Sequence, residues 1–141
     1  MQSVEELSTI NSKHWSAGPS MAHSRSDTAV VVYDHSIYML GGFESPLSGS
    51  LLEHADLQVF DGTKLTTCTA MGTHRMHHAA VIFGGKIWVI GGKAPCDKTL
   101  ASVEIYDGKH WSSGPSLGVA RASLGTVVLN GEIYAIGGQN A

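Results

Sequence analysis

Residues 103–138 read VEIYDGKHWSSGPSLGVARASLGTVVLNGEIYAIGG, and two earlier stretches of the chain follow the same pattern. Residues 57–92 read LQVFDGTKLTTCTAMGTHRMHHAAVIFGGKIWVIGG, and residues 7–42 read LSTINSKHWSAGPSMAHSRSDTAVVVYDHSIYMLGG. All three units are 36 residues long, superpose without a gap and end on a double glycine. A register kept three times indicates a repeat architecture in which every unit is one supersecondary structure.

Each unit predicts four short β-strands. In the last unit, Val103–Asp107 is rich in β-forming residues and leads into an Asp-Gly turn. A second strand begins at Trp111 and ends near Pro115, which lacks the N–H that a central strand donates and so places this strand at an outer edge. Two apolar runs follow, Thr126–Leu129 and Ile133–Ile136, joined by Asn-Gly, a strong signal for a tight β-hairpin. The equivalent turns of the other units are Asp34-His35 and Gly84-Gly85.

The apolar runs are continuous rather than alternating, which is typical of strands that are covered on both faces. Helices supply that cover in parallel α/β proteins, but no stretch of this chain has a helical period long enough to do so. We therefore expect small sheets stacked face to face around an axis. The double glycines favour the same arrangement, because a residue without a Cβ lets neighbouring backbones approach closely.

The composition excludes several classes of function. The chain has 141 residues, of which 15% are charged, and its net charge of −3 offers no basic surface for nucleic acid or an anionic membrane. Its apolar runs are far shorter than the ~20 residues of a membrane helix. The start MQSVEELSTINSKHW has neither the basic nor the apolar region of a signal peptide. Cys68 and Cys96 are too few for a disulfide scaffold, so we expect a reducing, cytoplasmic location.

The unit resembles the kelch repeat of β-propellers. In the last unit the resemblance rests on VEIYD, Trp111, Leu117, Arg121 and IYAIGG, and the other units contain parallel sets. His78 also matches the family pattern, whereas Leu65 stands where the other units have tryptophan. The resemblance implies an all-β propeller of four-stranded blades, in which the double glycine closes the second strand and the tryptophan lies on the fourth.

On that pattern, residues 1–141 form one partial propeller of about three blades: an outer pair of strands, two whole blades and a final inner pair. Propellers close with about four to eight blades, so both pairs need partners. Two alternatives remain open. The chain is a piece of a longer kelch protein, or two copies pair head to tail and close a six-bladed ring with twofold symmetry. The piece is preferred, because nothing in the sequence positively selects dimerisation.

The histidines and arginines are the first candidates for chemistry. His74, His77 and His78 cluster in THRMHH, but a zinc site needs a full set of converging ligands and no cysteine pair accompanies them. We expect His78 in the blade packing, His77 on the rim, and neither a metal nor a cofactor. The repeated arginines enter apolar strands at one register, so we expect them to satisfy backbone carbonyls between blades rather than to catalyse a reaction.

No catalytic motif is present: the sequence has no nucleophile elbow, no HExxH and no phosphate loop. Cys96 lies in KAPCDK beside Lys93 and Lys98, which would favour its thiolate. A redox or electrophile sensor is one interpretation of this cysteine, and an ordinary loop thiol is the expected one.

The resemblance implies a platform for protein partners, since many kelch propellers follow BTB domains in substrate receptors of cullin-RING ubiquitin ligases. No BTB or BACK segment is present in this sequence. In the family, peptides bind one end of the propeller through residues just after the repeat arginine and just after the double glycine. At those positions stand Ser26, Asp27, Met76, His77, Ala122 and Ser123, together with Phe43, Glu44, Lys93, Gln139 and Asn140.

We therefore expect a protein-binding module that is not an enzyme. The alternative is a portion of a kelch-type enzyme, either a galactose-oxidase-like oxidoreductase or a sugar mutarotase. The copper ligands of such oxidases do not map onto this sequence.

Overall fold

The computed structural model describes residues 3–7, 13–45, 49 and 52–141, and these residues form an all-β fold. The strands are β1 Ser3–Glu6, β2 Ser16–Ser20, β3 Ala29–Tyr33, β4 Ser36–Leu40, β5 Phe43–Glu44, β6 Leu52–Glu53, β7 Leu57–Phe60, β8 Leu65–Cys68, β9 Ala79–Phe83, β10 Lys86–Ile90, β11 Lys93–Ala94, β12 Lys98–Thr99, β13 Val103–Tyr106, β14 Trp111–Gly114, β15 Ala122–Leu129 and β16 Glu132–Gln139. One 3₁₀ turn, Pro95–Asp97, interrupts the strands. In the described ranges, no helix has the length and apolarity to cross a membrane.

Two of the sheets are complete four-stranded blades. Blade 1 has the strand order β3-β4-β7-β8 and blade 2 the order β9-β10-β13-β14, and every pairing is antiparallel. The leading half-blade pairs β1 with β2, and the trailing half-blade pairs β15 with β16. The short pairs β5–β6 and β11–β12 extend the connections between the second and third strands. The predicted architecture of two whole blades and two half-blades is confirmed, and so is the edge position of the tryptophan strand in blade 2.

The first strand lies elsewhere than the sequence predicts. The ungapped superposition places it at residues 7–11, but β1 is Ser3–Glu6 and Leu7 already lies outside it. Residues 8–12 lie outside the described part of the chain. The shift has a simple cause in the sequence. Trp15 stands nine positions after Glu6, the end of β1, whereas Trp111 stands five after Tyr106, the end of β13, and a superposition without gaps cannot accommodate that difference.

The sequence contains a signal for the correct register. Ser3-Val4-Glu5 repeats Ser102-Val103-Glu104 in the last unit. The packing agrees, because a Cβ on Gly18 would lie 3.3 Å from the Val4 side chain, and one on the equivalent Gly114 would lie 2.9 Å from Val103. β1 is therefore the counterpart of β13, the third strand of a blade.

The hairpin turns between the first two strands have the predicted geometry. Asn130 and Gly131 have φ of 51° and 76°, and Gly84 and Gly85 have 58° and 69°. Asp34-His35 adopts the same left-handed pair, 45° and 60°, without a glycine. Two successive positive φ values define the type I′ turn that matches the twist of a hairpin.

The hydrophobic core lies between blades. Leu40 and Leu57 of blade 1 and Ile87 and Val89 of blade 2 are completely buried in one cluster. A second cluster, which includes Leu124, joins the other face of blade 2 to the trailing half-blade. Blade 2 is therefore covered on both faces, which is why its apolar runs do not alternate.

Candidate functional site

Two sets of loops meet at one end of the sheets. In an antiparallel sheet the first strand of a blade begins where the second strand ends, so the loop before the first and the loop after the second lie side by side. Backbone pairing joins these loops at Ser26 with Phe43, Met76 with Lys93, and Ala122 with Gln139. The structure thus brings the two sets of sequence-predicted site residues together. We call this end of the blades the arginine-loop end.

The repeat arginines anchor this end. Arg25 donates one nitrogen to the carbonyl of the first glycine in the double glycine of blade 1, at 2.8 Å, and another to Oδ2 of Asp56, at 2.8 Å. Arg75 donates to the equivalent carbonyl in blade 2 at 2.7 Å and to Oε2 of Glu104 at 2.6 Å. Both arginine side chains are fully buried. The expected structural use of these arginines is confirmed, but the expected position between blades is wrong, because each arginine binds a carbonyl of the blade that it precedes. A carboxylate partner adds to this use.

Asp56 and Arg75 are charged at neutral pH. Burial raises the pKa of Asp56, but the hydrogen bond and the charge of Arg25 together lower it by more, so the net shift of the pKa is downward. Burial lowers the pKa of Arg75, and Glu104 only partly offsets this. A guanidinium titrates so far above neutrality that it remains charged. Both arginines are therefore occupied in bonds that hold the loop entering each blade to that blade.

His78 joins blade 1 to blade 2. Its side chain is buried, and Nε2 lies 3.0 Å from the carbonyl oxygen of Leu40. Burial, with a smaller contribution from the charge of Arg75, lowers the pKa of His78 to about 3. The imidazole is neutral at physiological pH, so Nε2 carries a proton and donates it to the carbonyl. The predicted packing role of His78 is confirmed.

Three non-glycine residues with left-handed backbone line a pocket at this end. Asp27, His77 and Ser123 each stand two positions after a repeat arginine, with φ of 52°, 54° and 55°. Such a conformation costs energy for a residue with a side chain, and residues that adopt it concentrate at ligand sites. Thr28, His78 and Leu124 complete the lining of a cavity of about 250 Å³. We call this cavity the arginine-loop pocket.

Internal contacts fix the polar groups of the arginine-loop pocket. Nδ1 of His77 lies 3.5 Å from Oδ1 of Asp27. The amide of Ser123 donates to the carbonyl of His77 at 2.7 Å, which links the trailing half-blade to blade 2. The ring of Phe43 lies 6.3 Å from that of His77 and supplies an apolar surface beside the polar groups.

The predicted site residues differ in how accessible their side chains are. Met76 is 7% exposed and Ala122 is 0% exposed, so neither side chain can reach a partner. Lys93 is largely buried, with Nζ bonded to Oδ1 of Asp97 at 2.6 Å. The exposed residues are Ser26, Asp27, Ser123, Gln139 and Asn140, and the half-buried ones are Phe43, Glu44 and His77.

Sequence reasoning missed a second polar pocket at the same end. His54 stacks on His23 with ring centroids 5.3 Å apart, and its Nε2 lies 3.9 Å from Glu44. The pocket measures about 310 Å³ and is also lined by Glu53, Asp56 and His74. Burial and the charge of Arg25 give His54 a pKa below its ordinary value. The available signal was a departure from the repeat just before the second unit, where His54 stands at the position that Leu100 has before the last unit.

Two other groups of residues were candidates for chemistry. In the described ranges, no three His, Cys, Asp or Glu side chains are placed to hold a metal ion. Cys96 is exposed in the 3₁₀ turn, and the neighbouring Lys93 forms its ion pair with Asp97.

Comparison with known proteins identifies the repeat. The Kelch motif matches residues 74–118 and 120–141. The solved structure described as "Structure of YjhT" superposes on 96% of this chain with a TM-score of 0.84 and 15% sequence identity. The chain spans half the length of that structure, since the match covers 50% of it. A search of the curated proteins finds no match to the sequence. The chain thus contains two Kelch motifs, and its blades and double glycines form part of a kelch-type β-propeller.

Proposed function

We propose that this chain is a protein-interaction module whose arginine-loop end binds a segment of a partner protein. The observation that carries the proposal is the convergence of Asp27, His77 and Ser123, which present polar groups from backbone held in a left-handed conformation. Loops fixed on a rigid scaffold are the usual place for binding sites. Groups that are already ordered lose little conformational freedom when a ligand binds.

The chemistry of the arginine-loop pocket favours a peptide with mixed character. Asp27 offers a hydrogen-bond acceptor and His77 a ring nitrogen, 3.5 Å from each other. Phe43, half-buried beside them, suits an apolar side chain of the same peptide. The two sequence-predicted residues with buried side chains, Met76 and Ala122, take no direct part and set the position of their neighbours.

The proposal is for binding rather than catalysis. The ionisable side chains of Arg25, Arg75 and His78 are buried and form hydrogen bonds within the protein, so they do not face a ligand. The proposal also places the chain in the cytoplasm, where Cys68 and Cys96 remain thiols. Its narrower form, a substrate receptor of a cullin-RING ubiquitin ligase, draws on the resemblance of the repeats to those that follow BTB domains.

The test selects peptides from a displayed library on the purified chain and measures their dissociation constants for two variants. His77→Asn removes the imidazole from the pocket and retains a residue that tolerates the left-handed backbone. His35→Asn is the matched control, because His35 is also a left-handed histidine but lies in a hairpin turn at the opposite end of blade 1. We expect binding to weaken about tenfold or more in His77→Asn and to stay unchanged in His35→Asn.

Equal losses in both variants, or none in His77→Asn, would count against binding at the arginine-loop end. The ligase form is tested separately, by asking whether a reconstituted cullin-RING reaction modifies the selected partner only when this chain is present. Failure of that reaction would remove the narrower form and leave the binding site standing.

A further inference from the structure

The third repeat arginine lacks the carboxylate that its two counterparts have. Arg121 donates to the carbonyl of Gly137 at 2.9 Å, as the others do to their glycines. Across the described residues, however, no acidic side chain lies within ion-pair distance of Arg121. In blade 2 the carboxylate comes from Glu104 on the third strand, β13, and the trailing half-blade has only its first two strands. Within the described residues, the Arg121 site therefore has its carbonyl partner and lacks a carboxylate.

The leading half-blade carries the matching group. Its strand β1 is a third strand and contains Ser3-Val4-Glu5, the same three residues as Ser102-Val103-Glu104. Glu5 is exposed. In blade 2, β13 pairs with β10 and Glu104 binds Arg75. If β1 paired with β16 in the same register, Glu5 would occupy the equivalent position and could bind Arg121. The match is specific, because blade 1 places its carboxylate, Asp56, two positions earlier in the repeat than Glu104.

The trailing half-blade leaves an apolar face open. Val127, Leu129 and Ile136 are 52%, 57% and 60% exposed. The residues at the same positions of blade 1 belong to the cluster between blades 1 and 2. This apolar face of the trailing half-blade is therefore suited to pack against another blade, as the same face of blade 1 packs against blade 2.

The inner strands of blade 1 leave the complementary face open. Val30 and Val32 of β3 are 55% and 68% exposed, although their counterparts in blade 2, Ala80 and Ile82, pack against blade 1. An apolar cavity of about 280 Å³ beside Val30 separates this face from the leading half-blade. A preceding pair of inner strands would cover Val30 and Val32.

The double glycines show the same open junction. A Cβ on Gly41 or Gly91 would lie 2.7 or 2.5 Å from the carbonyl oxygen of the next repeat arginine. Gly137 has the same left-handed backbone, with φ of +70°, but nothing lies within 4 Å of its Cβ position. In the register of the repeat, the arginine carbonyl that would face Gly137 is that of Arg25, at the start of a following blade 1.

We propose that two copies of this chain close a six-bladed ring, in which β16 of one copy pairs with β1 of the other and Glu5 of the second copy completes the Arg121 site of the first. The register of β10 with β13 then sets Ile136 opposite Val4. Each copy contributes a β1 edge and a β16 edge, so the ring has two identical β1–β16 joints. The solved structure that the chain matches is about twice as long as this chain, which is consistent with an assembly of two copies. The assembly is independent of the peptide-binding proposal.

Sedimentation equilibrium of the full 141-residue chain tests the ring with charge-reversed variants. We expect the wild-type chain to be a dimer. Glu5→Arg alone and Arg121→Glu alone each put like charges at both joints, and each should raise the dissociation constant on the order of 100-fold. An equimolar mixture of the two variants should dimerise again, because one joint regains the native pair and the other receives the reversed pair. Glu6→Arg, the adjacent charge reversal on β1, should dimerise like wild type.

Each other outcome overturns the proposal. A wild-type chain that stays monomeric at high micromolar concentration shows that the edges are covered by something other than a second copy, such as further blades of a longer protein. Masses above the dimer indicate an open assembly instead of a ring. A mixture that remains monomeric removes the pairing of Glu5 with Arg121. If a reversal unfolds the chain, Glu5→Gln replaces it, with an expected rise of about tenfold, and an unchanged dissociation constant then contradicts the pairing.

Discussion

A buried ion pair, Arg75 with Glu104, joins the loop that precedes blade 2 to that blade. Removing Arg75 would leave Glu104, whose side chain is 12% exposed, without its partner, and an unpaired buried charge is costly. We expect Arg75→Met to lower the free energy of unfolding by about 3 kcal/mol, measured by urea denaturation at fixed protein concentration. Lys109→Met, which removes an exposed charge from a turn, should change it by less than about 0.5 kcal/mol. Similar values for the two variants would show that Arg75 is not essential to the junction.

The buried imidazole of His78 makes stability depend on pH. Its pKa falls from 6.5 to about 3 on folding, so the unfolded chain takes up a proton more readily than the folded one. This contribution is complete above pH 6.5 and is lost as the pH falls toward 3. Between pH 7.5 and pH 5 we expect the wild-type chain to lose ~2 kcal/mol more stability than His78→Gln, whose amide still donates to Leu40 but does not titrate. Parallel pH profiles for the two proteins would contradict the neutral, buried imidazole.

Among the elements, those fixed by local backbone geometry were predictable from the sequence. The hairpin at Asn130-Gly131 and the double glycines need positive φ, and few residues adopt it, so a local pattern reveals them. The first strand was not predictable in the same way. Its position at Ser3–Glu6 depends on a longer sequence separation from Trp15, which leaves no periodic signal, so only the short repeat of Ser3-Val4-Glu5 marks it.

The candidate site was predictable only in part, for a related reason. Motif positions placed the residues after the arginine and after the double glycine at one end, and backbone pairing such as Ser26 with Phe43 brings them together. The sequence did not distinguish Met76, which is buried, from His77, which faces the pocket. Burial of one of two adjacent loop residues depends on packing against the neighbouring blade, which a single repeat unit does not encode.

The double glycine can be tested as a structural element with a control of the same backbone conformation. Gly41 and Gly84 have φ of +59° and +58°, but a Cβ on Gly41 would lie 2.7 Å from the carbonyl of Arg75, while one on Gly84 meets nothing within 4 Å. Both alanine variants incur a left-handed backbone cost of about 1 kcal/mol. We expect Gly41→Ala to lose about 2 kcal/mol beyond Gly84→Ala in urea denaturation, because of the clash between blades. Equal losses would mean that the junction adjusts to the extra methyl.

At the scale of the whole molecule, the middle of the chain differs from its ends in how many faces of a sheet are buried. Ile87 and Val89 of blade 2 are completely buried, whereas Val32 at one end and Ile136 at the other are more than half exposed. Strands with one open face and one unpaired edge open locally at lower free energy than strands enclosed on all sides. The two ends therefore depend on whatever covers them, and the middle does not.

Amide hydrogen exchange, measured at two protein concentrations, tests whether β1 and β16 are paired between copies in the proposed ring. The amides of β10 are paired and covered within one copy, so their exchange rates should not change on dilution. Within one copy β16 pairs only with β15, so its outward amides are protected only when a second copy adds β1. We expect dilution through the dimer dissociation range to speed exchange in β1 and β16 together, by about the same factor, and to leave β10 unchanged. Exchange in β16 that stays constant while sedimentation shows dissociation would place the contact between copies at another surface.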